Sequence, residues 1–94
     1  VELERFIHSL DSGTIAKVLR VIDLLELFGN RLGMPHSKNI GSGLCELRGR
    51  GRQEVRIFYV FKADEAVLLH GYIKKSLRVP RKELETVHKK RMRI

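Results

Sequence analysis

Apolar residues change their spacing once along this chain, and that change confines it to a fold with helices first and strands afterwards. From Thr14 to Phe28, the residues Ile15, Val18, Leu19, Ile22, Leu25 and Phe28 recur at helical intervals, widened by Val21, Leu24 and Leu27. Leu3, Phe6, Ile7 and Leu10 repeat the pattern, so a short helix is expected over residues 2–10. Asp11 and Ser12 can cap the restart that follows, and Gly29-Asn30 ends the longer helix with residues that tolerate left-handed backbone. The first thirty residues therefore predict a helical hairpin whose apolar faces need a cover. Arg31 to Gly43 carries Gly33, Pro35, Gly41 and Gly43 and reads as a loop, with Gly41-Ser42-Gly43 a plain turn rather than a phosphate loop.

Beyond it the period becomes two. Cys45 to Arg48 alternates, Gly49-Arg50-Gly51-Arg52 turns the chain, and Val55 to Phe61 is rich in β-branched and aromatic residues. After the polar break Ala63-Asp64-Glu65-Ala66, Val67 to Ile73 resumes β-favouring sequence, so residues 44–73 predict a three-stranded antiparallel meander. Pro80 opens a basic C-terminal helix with a weak apolar stripe at Leu84 and Val87. The expected fold is α+β: an N-terminal helical hairpin packed on a small antiparallel sheet, with a basic C-terminal helix, in one domain over residues 1–94.

Charge narrows the function. The chain has 19 Lys and Arg against 11 Asp and Glu, net +8, and the excess is uneven. Residues 1–30 are net −2, residues 31–62 net +5, residues 63–73 net −2 and residues 74–94 net +7. Two basic stretches that fold together attract a polyanion, nucleic acid first, because neutralised phosphates release condensed counterions. One cysteine excludes an internal disulfide framework and fits a reducing compartment, and no Cys or His pair has zinc-ligand spacing. Apolar stretches fall short of the roughly 18 residues of a membrane span, and no signal peptide opens the chain. A soluble, cytoplasmic protein with no membrane partner is expected.

The residues with chemical potential gather near the third strand. His70, Tyr72 and Lys74 alternate onto one face, with Lys75 following, and the second strand adds Arg56 and Tyr59. A two-residue turn at Asp64-Glu65 would set Tyr59 beside His70; a one-residue shift would bring Arg56 onto the face of His70 and Lys74 instead. Arg, Lys, His and Tyr without nearby carboxylates cannot assemble a magnesium site. They suit phosphoryl chemistry in which the 2′-hydroxyl of RNA is the nucleophile and the protein stabilises charge and moves protons. Cys45 has no His or Asp partner at fixed reach and reads as a structural thiol. Lys38, Arg50, Arg52, Arg78 and Arg81 sit in loops or at strand ends, where they can clamp a backbone without reading bases.

Met34-Pro35-His36-Ser37-Lys38, Gly43-Leu44-Cys45-Glu46-Leu47-Arg48, Val55-Arg56-Ile57-Phe58-Tyr59 and Leu69-His70-Gly71-Tyr72-Ile73-Lys74-Lys75, with a Pro-initiated basic helix after them, form a recognisable succession. It resembles the RelE/HigB-type toxins of bacterial type II toxin–antitoxin systems, and in particular the phage-derived branch of the RelE/ParE superfamily. The resemblance implies a ribosome-dependent mRNA endonuclease that inhibits translation, with mRNA, the ribosome and a cognate antitoxin as partners and with no metal or cofactor. It assigns stabilisation of the scissile phosphate to Arg56, assistance to Arg48, further cations to Lys74 and Lys75, an acid/base role to His70 and an RNA or ribosome contact to Lys38. The branch usually begins with a short strand before the first helix, so a sheet lacking that edge strand is expected here. A catalytic C-terminal Tyr of some relatives has no counterpart after Tyr72. ParE-like members share the fold but inhibit DNA gyrase without cutting RNA, and that activity, or plain RNA binding, is the alternative reading.

Overall fold

A computed structural model describes residues 2–94. Helices α1 (Glu2–His8) and α2 (Ser12–Phe28) are followed by a single 3-10 turn (Gly29–Arg31), four strands β1 (Ser37–Gly41), β2 (Leu44–Arg50), β3 (Glu54–Lys62) and β4 (Glu65–Ile73), and helix α3 (Arg81–Arg91). The expected α+β order holds. All four strands are antiparallel neighbours in the order β1-β2-β3-β4.

The corner between α1 and α2 shows why the chain restarts at residue 11. The Asp11 carboxylate accepts from the Thr14 backbone N–H at 3.1 Å and from its hydroxyl, capping α2. Gln53 in the β2–β3 turn then fastens the corner to the sheet: its Oε1 accepts from Asp11 N (3.0 Å) and its own N–H donates to Thr14 Oγ1 (3.2 Å). Gly49 and Gly51 let α2 approach this closely, since a Cβ at either would fall within 3 Å of Val18 or Thr14 atoms. Gly49 thus belongs to β2 and serves helix packing rather than the turn.

Helices α1 and α2 cover one face of the sheet. Ile7, Leu10, Val18, Val21 and Leu25 bury against Leu47, Val55, Ile57 and Tyr59. On the other face Val87 of α3 packs with Leu44, Phe58, Val60, Leu69 and Tyr72. The central strand β3 is therefore covered on both sides, and its six consecutive residues Val55–Val60 are all buried. Helix α3 is held at its ends: Pro80 precedes it, Lys90 Nζ donates to Glu2 of α1 (3.1 Å), and Arg91 donates to the Ser42 carbonyl in the β1–β2 turn.

Two expectations need correction. Residues 37–41 are not loop but an edge strand, so the meander has four strands; only Ser37 of β1 is buried, which leaves no apolar alternation to read. The β3–β4 turn is Ala63-Asp64 rather than Asp64-Glu65, with both residues at positive φ (51° and 66°) and Lys62 paired to Glu65. The short strand that usually opens this branch is not found before α1 among the described residues, the expected departure from its pattern, and β4 forms the second edge of the sheet.

Candidate functional site

Register decides which side chains meet. Near its turn the β3–β4 pair runs Val60 to Val67 and Tyr59 to Leu68; one extra residue on β4, Leu69, then shifts the pairing to Phe58–His70, Ile57–Gly71 and Arg56–Tyr72. Without this bulge His70 would lie opposite Ile57, on the α1/α2 side. With it, His70 and Tyr72 turn to the α3 side alongside Arg56, which is the shifted alternative rather than the pairing of Tyr59 with His70. Tyr59 faces the helices instead, where its hydroxyl bonds the Ser37 hydroxyl and Cys45 lies beside it. Burial pushes both the Tyr59 hydroxyl and the Cys45 thiol up, away from ionisation.

The ladder partners continue across the sheet. Lys38, Glu46, Phe58 and His70 form one row; Arg48, Arg56 and Tyr72 form the next; Arg50 and Glu54 form the third. Lys74 joins that third row, because its backbone N–H donates to the Glu54 carbonyl at 2.7 Å and prolongs the ladder. Alternation places all of these on the α3 side. Lys75, next in the chain, falls on the opposite side and lines a groove of about 480 Å³ at the β4 edge with Phe6, Tyr72 and Pro80.

At the centre, one carboxylate oxygen holds two guanidinium groups. Glu46 Oε1 lies 3.3 Å from Arg48 Nε and 3.5 Å from Arg56 Nε, and Arg56 Nη1 also donates to Glu54 Oε2 at 2.9 Å. Glu54 reaches Arg50 at 3.8 Å. The side chain of Arg56 is 5% exposed and that of Arg48 12%, so Arg56 is the inner cation and Arg48 the outer one. The expectation of a carboxylate-free cluster is thus overturned: Glu46, Glu54 and Glu83 all stand within it. Their effect is to fix the cations, since fork-shaped guanidinium groups shared between carboxylates lose much of their rotamer freedom. Among the described residues no group of three or more His, Cys, Asp and Glu side chains is placed to hold a metal ion.

Beside the arginines, His70 Nε2 meets Glu83 Oε1 of α3 at 2.7 Å, which fixes the imidazole against the sheet. Tyr72 stacks on Phe58 with ring centroids 5.7 Å apart. Its buried hydroxyl has no hydrogen-bond partner, and burial, helped by the nearby Glu46 carboxylate, pushes it up to about 12.

The more distant cations divide. Lys38 is exposed but shares the row of Glu46, and Arg50 the row of Glu54. Arg52 stands in the β2–β3 turn near Asp11, Arg78 is exposed between β4 and α3, and Arg81 pairs with Glu85 at 3.5 Å; none of these three pairs with Glu46 or Glu54. The residues missed by sequence reasoning are the carboxylates. Their signal was the strand period itself, Glu46-x-Arg48-x-Arg50 and Glu54-x-Arg56, which places acid and base on one face.

A family model described as "Phage derived protein Gp49-like (DUF891)" matches residues 5–92. No curated protein matches the chain. No helix among the described residues is long and apolar enough to cross a membrane.

Proposed function

The chain belongs to the phage-derived Gp49-like family, a toxin-like family of the RelE/HigB type, and from that premise we propose that it is a toxin of a type II toxin–antitoxin pair that cuts translated mRNA on the ribosome. The observation that carries this reading is the arginine pair Arg48 and Arg56, fixed on Glu46 next to the His70–Glu83 contact. In the proposed reaction the 2′-oxygen attacks the adjacent phosphorus and forms a P–O2′ bond, while the P–O5′ bond breaks. The products are a 2′,3′-cyclic phosphate and a 5′-hydroxyl end. Charge gathers on the phosphoryl oxygens during this exchange, and preorganised cations stabilise it at little reorganisation cost. Arg48 and Lys74 make the outer contacts, and Arg56 supplies the inner positive charge. The proton of the 2′-hydroxyl passes to solvent, and His70, oriented by Glu83, delivers one to the departing 5′-oxygen. Glu46 and Glu54 are occupied by arginines, so the site works as an endoribonuclease without a metal ion.

The partner in this reading is a small acidic or amphipathic antitoxin that covers the basic surface. The test is a reconstituted translation reaction in which the 5′ ends of a reporter mRNA are mapped with and without ribosomes and the 3′ ends are typed. Ribosome-dependent cuts with cyclic phosphate ends are expected. Intact message together with inhibited gyrase supercoiling would overturn the reading in favour of a ParE-like toxin; intact message with simple salt-dependent RNA binding would reduce the protein to a binding module.

A further inference from the structure

The ladder between β1 and β2 ends where the Arg48 backbone N–H donates to the His36 carbonyl (2.8 Å), so the last residues of β2, from Gly49 on, run on as an open edge. Beside that edge a cleft of about 240 Å³ opens between α2 and the chain entering β1. Lys17 and Arg20, one turn apart on α2, form one wall, His36 stands opposite, and Arg48 and Arg50 close the end towards the arginine rows. Val21, Leu24 and Pro35 supply the remaining lining, and no carboxylate belongs to it. Lys17 and Arg20 have no acidic side chain within ion-pair distance among the described residues, unlike Arg48 on Glu46 and Arg50 on Glu54. Residues 1–30 are net acidic, yet α2 aims two cations into this one place.

We propose that this α2–β2 cleft is a second phosphate-binding station, which seats a backbone phosphate of a single-stranded RNA whose reacting phosphate lies at Arg48 and Arg56. Arg48 lines the cleft and also shares Glu46 with Arg56, so one strand can cross the open edge of β2 and engage both places. The Arg20 guanidinium, the Lys17 ammonium and the His36 imidazole around an apolar floor match a phosphodiester and carry no base-edge code, so the cleft positions RNA without reading sequence. An acidic antitoxin segment is the competing occupant. The absence of a large apolar anchor from the cleft lining favours the nucleic acid.

The inference rests on the proposed reading for its substrate, but its test does not require cleavage. Fluorescence anisotropy of a labelled 2′-O-methyl oligonucleotide, which cannot be cut, is followed across salt concentrations for the wild type, Lys17→Ala/Arg20→Ala and the control Lys62→Ala, an exposed cation beside the β3–β4 turn at the far end of the sheet. Both α2 positions are exposed and alanine favours a helix, so the double variant keeps its fold. Affinity about ten-fold weaker for the double variant is expected, with a salt slope shallower by roughly 0.7 for one lost phosphate contact and an unchanged control. Equal affinity and slope in wild type and double variant, or no binding by the wild type, would overturn the cleft. So would a double variant that keeps RNA binding and loses only capture of the antitoxin. Binding that depends on Lys17 and Arg20 in a protein that leaves translated mRNA intact would instead retain the cleft and remove the nuclease reading.

Discussion

Arg56 and Tyr72 lie opposite each other across β3 and β4, and each keeps one buried polar atom without a hydrogen bond: Arg56 Nε, although its guanidinium is ion-paired to Glu46 and Glu54, and the Tyr72 hydroxyl, which has no partner at all. A buried hydroxyl without a hydrogen bond costs about 1–3 kcal/mol, so Tyr72→Phe is expected to hold or raise stability by about 1 kcal/mol in urea unfolding. The same residue sets a pH dependence. Its folded value of about 12 lies above the ordinary 10.0, so the folded chain holds the proton more tightly than the unfolded one. The contribution is complete below pH 10 and is lost as pH rises from there towards about 12. Melting curves of Tyr72→Phe should lose part of that alkaline decline. Removing Glu46 has the reverse character, since Glu46→Ala leaves two neighbouring guanidinium groups short of a partner and should destabilise the chain by roughly 3 kcal/mol or more. The arginines were legible in the sequence because a strand of apolar residues makes a charged one conspicuous. The role of Glu46 was not, because it depends on the cross-strand partner of each residue, and that is set by the register.

At the scale of elements, one bulge and one turn determine the site. Leu69 is the extra residue that rotates His70 and Tyr72 to the α3 side, and a bulge leaves no mark in local propensity. The turn is equally hidden: Ala63 adopts φ 51°, a left-handed conformation that alanine disfavours, where the sequence gives no Asn-Gly or Asp-Gly signal. Ala63→Asn is expected to raise stability by about 0.5–1 kcal/mol, read as a higher denaturant midpoint at unchanged slope. Packing supplies a change in the other direction. A Cβ on Gly71 would lie 2.8 Å from Phe6, so Gly71→Ala must push α1 off β4 and should cost roughly 1–3 kcal/mol. The helices were readable from their 3.6-residue period and β3 from its run of apolar and aromatic residues. Strand β1 was not, because an exposed edge strand between glycines has neither pattern.

For the whole molecule, three layers divide the labour. Helices α1 and α2 make the sheet rigid from one side, and the short α3 covers only part of the other, leaving the arginine rows beside the His70–Glu83 contact. Both basic stretches of the chain, net +5 over residues 31–62 and +7 over residues 74–94, contribute cations to this side: Arg48, Arg50 and Arg56 from β2 and β3, and Lys74 directly after β4. Charge distribution thus pointed to a polyanion from the sequence alone, whereas the cation pair on α2 was masked by the acidic residues around it. The central claim is that this fixed cation array cuts message during translation. It is tested most directly by primer extension on a reporter mRNA in a reconstituted translation reaction, comparing the wild type with Arg48→Gln and Arg56→Lys after confirming that each variant melts cooperatively. The prediction is ribosome-dependent cuts by the wild type, reduced at least ten-fold in both variants; a message left whole by the wild type, or cut equally by all three proteins, would contradict it.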